Sequence, residues 1–159
     1  MEVRLDQATP TSAIEDLYRT EGPRLWRSVM AFTGDREVTD DAVSEAFAQL
    51  IGRGASVRDP ARWVWRASFK IAAGELHRRR PMPQGPQGDV ATMPEPLDHV
   101  IRALAVLPPK QRAVVVLHDY ADRPTEEIAH VLDIRPSTVR VHLSEARRRL
   151  RSMLEDRDG

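Results

Sequence analysis

The chain has 159 residues, with 24 Lys and Arg against 24 Asp and Glu, five His and no Cys. That length holds one medium domain or two small ones, and the missing thiol excludes disulfides, thiolate zinc sites and cysteine nucleophiles. No two His stand at i,i+4, and no phosphate loop, carboxylate dyad or nucleophile–base pair stands out. Neither a metal, a cofactor nor catalysis is therefore expected. No N-terminal apolar run resembles a signal peptide and no stretch approaches a membrane span, which points to a soluble, cytoplasmic protein without membrane insertion.

The zero net charge hides a segregated pattern. Residues 1–50 carry five Arg against ten acids, and residues 51–80 carry eight Lys and Arg against two. Residues 136–159 carry six Arg against four acids. Two basic blocks separated by acidic material can touch two separate stretches of nucleic acid.

In chain order, residues 1–10 read as weakly ordered. A helix opens at Thr11 or Ser12, where Ser12 and Glu15 form a capping box, and Gly22-Pro23 breaks or kinks it. A second run with Leu25, Trp26, Val29, Met30 and Phe32 facing inward ends at Gly34. Glu37 to Leu50 is a third helix, with Val38, Ala42, Ala46 and Leu50 as an i,i+4 stripe widened by Val43 and Phe47. Its other face carries Asp40, Asp41, Glu45 and Gln49. Residues 51–60 form a loop with Arg53, Ser56, Arg58 and Asp59, after which Asp59 begins a helix running to about Arg80. Aromatic rings among cations on that helix (Arg62, Trp63, Trp65, Arg66, Lys70) suit melted nucleic acid, where bases stack on rings and phosphates pair with cations. Trp63 and Phe69 read as core, and Trp65 as the exposed ring.

The segment 81–96, PMPQGPQGDVATMPEP, has five prolines and two glycines, and such a segment neither packs nor propagates helix. It reads as a flexible linker between a helical domain at 1–80 and another at 97–159. In the second domain a helix with Val100, Ile101 and Leu104 stops at Pro108-Pro109, and Val114, Val115, Leu117 and Tyr120 supply core from the next. Two amphipathic segments then flank the short break Asp133-Ile134-Arg135. Ile128, Ala129 and Leu132 face inward in the first, and Val139, Leu143, Ala146, Leu150 and Leu154 form the stripe of the second. Thr125 reads as one N-cap and Ser137 or Thr138, beside Pro136, as the other. Helices joined this way form a helix-turn-helix. The exposed Arg140, Ser144, Arg147 and Arg151, with Arg148 and Arg149 at the edges, suit a major groove. Nothing alternates with a period of two, so the fold class is all-α: two small helical domains joined by a flexible linker, the second containing a helix-turn-helix.

The stretch LPPKQRAVVVLHDYADRPTEEIAHVLDIRPSTVRVHLSEARRRLRSML resembles region 4 of bacterial sigma factors. LYRTEGPRLWRSVMAFTGD, DDAVSEAFAQL and ARWVWRASFKIAAGELHRRR resemble their region 2. Both regions in this order, over roughly residues 12–154, are similar to an extracytoplasmic-function (ECF) sigma factor of the sigma-70 family. The resemblance implies a transcription initiation factor, not an enzyme, that binds core RNA polymerase and directs promoter recognition and DNA melting. It implies that Asp41, Glu45 and Phe47 dock on core polymerase, with Asp40 and Gln49 as their neighbours. It implies that Arg53, Ser56, Arg58, Arg62, Trp63, Trp65, Arg66 and Lys70 bind the melted −10 element, with Arg53, Ser56 and Arg58 equal candidates for capturing a flipped base. It places Arg140, Val141, Ser144 and Glu145 at the double-stranded −35 element, where Ser137, Thr138, Arg147 and Arg148 of the same helix are expected beside them. An anti-sigma factor is a further implied partner, and no homo-oligomer is expected. The chain departs from the family pattern at Asp133, where Gly is usual in the turn, at Val141, His142 and Glu145, and at Phe69-Lys70 and Gly74. The rival readings are a stand-alone helix-turn-helix regulator that dimerises on a palindrome, and a helical protein that sequesters a partner through its acidic helix.

Overall fold

The computed structural model describes residues 10–79 and 95–158. The expected weak order of residues 1–9 and the linker up to residue 94 lie outside the described residues. Among those described there are helices and turns and no strand.

Helix α1 runs unbroken from Pro10 to Thr33 with Pro23 inside it. The break expected at Gly22-Pro23 is absent. Pro23 removes one backbone donor, but Ile14 before it and Leu25, Val29, Met30 and Phe32 after it are all buried, so packing on both sides carries the helix through. Because α1 begins at Pro10, Ser12 lies inside its first turn, and the expected capping box is not formed. Gly34 ends α1 at φ 66, a left-handed conformation that costs Gly nothing.

Asp35 then caps α2 (Arg36–Arg53) by accepting a hydrogen bond from the Val38 N–H at 3.1 Å. The helix continues three residues past Leu50, to a 3₁₀ turn at Gly54–Ser56. Helix α3 (Pro60–Arg79) is capped by Asp59, whose Oδ1 accepts from the Arg62 N–H at 3.1 Å. Its buried stripe is Val64, Trp65, Ser68, Phe69 and Ala72. Phe69 contacts Phe32 with ring centroids 5.4 Å apart, and Trp65 stacks beyond it at 6.4 Å. Helices α1, α2 and α3 thus enclose the core of the first module.

The second module has α4 (Glu95–Leu104), α5 (Pro109–Val115), a π turn over Val116–Tyr120, α6 (Thr125–Leu132) and α7 (Pro136–Asp158). The π turn is closed by the Ala121 N–H donating to the Val116 carbonyl at 3.0 Å. Asp133 caps α6 in the left-handed conformation at φ 54, as its position in the turn requires. The expected capping residues lie inside the helices and not at their caps. Thr125 is the first residue of α6 after Pro124. Ser137 and Thr138 lie inside the first turn of α7, where the Val139 N–H reaches the Arg135 carbonyl at 3.1 Å. The apolar stripe of α7 is covered from Val139 to Leu150, but Leu154 is exposed, because the helix outruns the module beneath it.

The two modules dock on each other. Helices α4 and α5 and the π turn lie against α1, and α6 lies against α3. The apolar cluster is continuous from Leu25 and Trp65 in the first module to Ile101, Leu117 and Val139 in the second. Sequence periodicity identifies an apolar face but not what will cover it, so this docking was not anticipated.

Candidate nucleic-acid interface

The 3₁₀ turn, the start of α3 and one side chain of α6 enclose an open cavity of about 410 Å³. It is lined by Arg53, Ser56, Val57, Arg58, Asp59, Arg62, Trp63, Arg66 and His130. Helix spacing sets Arg62 and Arg66 on successive turns of one face, with Lys70 exposed one turn further. The Arg53 guanidinium lies over the Trp63 ring at 5.5 Å, and the Ser56 hydroxyl donates to the Arg53 carbonyl at 2.7 Å. A half-buried ring amid four guanidinium groups can stack one base and pair with its phosphates.

The two tryptophans exchange the roles expected of them. Trp65 is 2% exposed, and its indole N–H donates to the Glu21 carboxylate at 3.1 Å. Trp63 is the ring at the cavity wall. The stripe of α3 is centred on Val64, Trp65 and Phe69, with Trp63 at its edge, so Trp65 offers no face for stacking in this state.

His130 was missed by sequence reasoning. It reaches the cavity from the second module, and nothing local in its surroundings signals that. Desolvation, followed by the nearby Arg62 and Arg66 charges, holds its imidazole below its ordinary range against the opposing pull of Glu127 and Asp133.

On α2, Asp40, Asp41, Glu45 and Gln49 are exposed. Asp40 accepts from the Trp26 indole N–H at 2.7 Å, and Gln49 donates to Glu45 at 3.0 Å. Phe47 does not share this surface. It is 6% exposed and packs edge-on against Tyr18 with centroids 5.1 Å apart, so it supports the acidic face from beneath.

Along α7, Ser137, Arg140, Val141, Ser144 and Arg148 are exposed. Thr138 is half-buried. Glu145 is turned toward α5, where it accepts from the Gln111 amide at 3.0 Å. Arg147 is drawn to Asp119 of the π turn at 3.3 Å, where His118 also bonds at 2.7 Å. Of the eight residues expected at the groove, Glu145 and Arg147 thus have partners within the second module. No described helix is long and apolar enough to cross a membrane.

The chain matches the family model "Sigma-70, region 4" over residues 97–150. It is 31% identical over 156 residues to an RNA polymerase sigma-E factor of Streptomyces antibioticus, covering 91% of this chain and 86% of that protein. This chain belongs to the RNA polymerase sigma factors of the extracytoplasmic-function type. Another relative, the ECF RNA polymerase sigma factor SigM of Mycobacterium tuberculosis, is 28% identical over 151 residues, covering 89% of this sigma factor and 77% of SigM. The fold of this sigma factor is that of CnrH, solved in complex with the cytosolic domain of CnrY. There the TM-score is 0.73 and the identity 23%, over 92% of this chain and 90% of that one. It is likewise that of the sigma factor RpoE from Bartonella quintana, solved with the anti-sigma factor NepR, at a TM-score of 0.75 and 15% identity over 90% and 97% of the two chains.

Proposed function

We propose that this sigma factor binds core RNA polymerase through the acidic face of α2 and directs it to promoters by two separate contacts. The 3₁₀ turn and α3 would hold the melted −10 strand, with a base against Trp63 and phosphates on Arg53, Arg58, Arg62, Arg66 and Lys70. The exposed side of α7, with Ser137, Arg140, Val141, Ser144 and Arg148, would enter the major groove of the −35 element. The factor carries no chemistry of its own. Its binding energy stabilises the opened strand by replacing base–base stacking and counterions with a ring and guanidinium groups.

The observation that carries this reading is the cavity in which Trp63 stands among four arginines, the ring and all four guanidinium groups coming from the first module and not from the helix-turn-helix. A stand-alone regulator would need only the second module, and similarity to relatives extends over both. Two structural neighbours were each solved with a protein partner, which supports an anti-sigma factor as a further partner here.

Run-off transcription with core polymerase tests the proposal. Specific transcript should depend on added factor. Asp41→Arg should abolish it by preventing association with core, while Arg140→Ala should weaken only promoters that rely on the −35 contact. Transcript that persists with Asp41→Arg would remove α2 from the polymerase interface.

A further inference from the structure

The face of α7 assigned above to the −35 groove has an acid at its edge. Glu145 is half-buried and lies one helical turn beyond Val141, which is 53% exposed. Ser144 and Arg148, both exposed, are its neighbours on the same side, as spacings of three and four on a helix require. Beneath it stands Gln111 of α5, which is 6% exposed, in a helix whose other buried residues are Ala113, Val114 and Val115. The Gln111 amide nitrogen donates to Glu145 Oε2 at 3.0 Å. The Gln111 amide oxygen is buried and has no partner among the described residues.

A carboxylate only accepts, so the NH2 group of Gln111 must face Glu145 and its carbonyl must face inward. An unpaired buried carbonyl is unfavourable, and a Leu of similar volume would fill the site without it. Packing therefore does not account for Gln111. What it supplies is one fixed bond to the edge of the groove face.

We propose that Gln111 is a positioning residue for sequence recognition: by holding Oε2 it presents Oε1 of Glu145 to the N4 amino group of a cytosine in the −35 major groove. This deepens the −35 reading made under Proposed function and depends on it.

The chemistry selects the base. In the major groove guanine offers two acceptors, thymine an acceptor and a methyl group, and adenine a donor beside an acceptor, whereas cytosine offers a donor alone. A carboxylate has nothing to donate to an acceptor edge, so cytosine is the base it fits. The carboxylate also has to be held. Arg140, Arg147, Arg148 and Arg149 share its helix, and an untethered Glu145 would turn to one of them. A neutral amide fixes it without cancelling its charge, and a side chain already ordered loses less freedom on binding. Arg147, two residues on and so on the opposite edge of the helix, is held by Asp119 of the π turn at 3.3 Å. The continuous run of α5 and the π turn thus fixes both edges of the groove face.

Holoenzyme assembled from core RNA polymerase and the full-length factor is incubated with a library of random-sequence duplex DNA, and the retained DNA is sequenced. The unaltered factor should enrich a motif with a C:G pair in its upstream, −35 part. Glu145→Ala should relax that position by roughly tenfold, the scale of one base-specific contact. Gln111→Leu should relax the same position and no other, with total retention and its salt dependence unchanged, because no phosphate contact is lost. Gln111→Met is a second apolar variant of matched length, and circular dichroism reports folding. Loss of helicity in both Gln111 variants would assign the residue to the core and overturn the proposal. Uniform weakening at every position, an unchanged motif in Glu145→Ala, or a base other than cytosine at the affected position would also overturn it. If the unaltered holoenzyme enriches no upstream motif, the −35 assignment itself falls; an upstream motif indifferent to the variants strikes this inference alone.

Discussion

Trp63 and Trp65 are two residues apart, and they divide core from cavity wall. Trp65→Ala should cost about 3–5 kcal/mol of stability, the usual cost of emptying a buried aromatic site. Trp63→Ala should cost far less and should instead impair open-complex formation. Urea unfolding and permanganate footprinting of promoter thymines distinguish the two outcomes. His130 adds a pH dependence. Its imidazole is held low by desolvation and by Arg62 and Arg66, against Glu127 and Asp133, with Arg53, Arg58 and Asp59 also at the cavity. A base with a depressed pKa in the docked state binds fewer protons there than after separation. Docking is therefore favoured above the ordinary imidazole value of about 6.5 and is weakened as pH falls through and below it. Interdomain energy transfer measured between pH 7.5 and 5.5 should report that loss, and His130→Gln should flatten the profile.

At the scale of elements, α1 is the helix whose continuity local rules misjudge. Gly22-Pro23 is a sound breaker signal, and it is overridden because apolar residues on both sides of it are buried against the rest of the fold. Pro23→Ala restores a donor for the Arg19 carbonyl and removes ring crowding at the preceding turn. It should raise stability by about 1–2 kcal/mol after allowance for the greater entropy of the unfolded chain, measurable as an increase in thermal midpoint. The helix-turn-helix was legible for the opposite reason. Its short break, its apolar stripe from Val139 to Leu150 at steps of three and four, and the left-handed position at Asp133 are all local features. The partners of Glu145 and Arg147 were not legible, because Gln111 and Asp119 lie 34 and 28 residues away in sequence.

For the whole molecule, the docked modules share one apolar interior, and Arg123 joins them by lying on Trp65 and pairing with Glu21. Arg123→Ala should loosen the pair without unfolding either module. The expected result is red-shifted indole emission together with a larger radius of gyration by solution scattering. Raising salt should act in the same direction on the unaltered chain, since the interface carries four pairs at Arg24, Arg62, Arg66 and Arg123. Red-shifted emission with an unchanged radius would mean that Arg123 shields Trp65 but does not hold the modules together.

The sequence by itself determined the helical class, the inward stripes of α2 and α7, the acidic face of α2, the basic character of α3 and the helix-turn-helix. Each of these is written in spacings of three or four residues and in the chemistry of caps and turns. Only the tertiary structure decided that Trp65 is buried, that Trp63 and His130 meet in one cavity, and that α6 lies on α3. Such facts depend on contacts between residues tens of positions apart, where burial and charge pairing are set by which faces meet, and no local period encodes that choice.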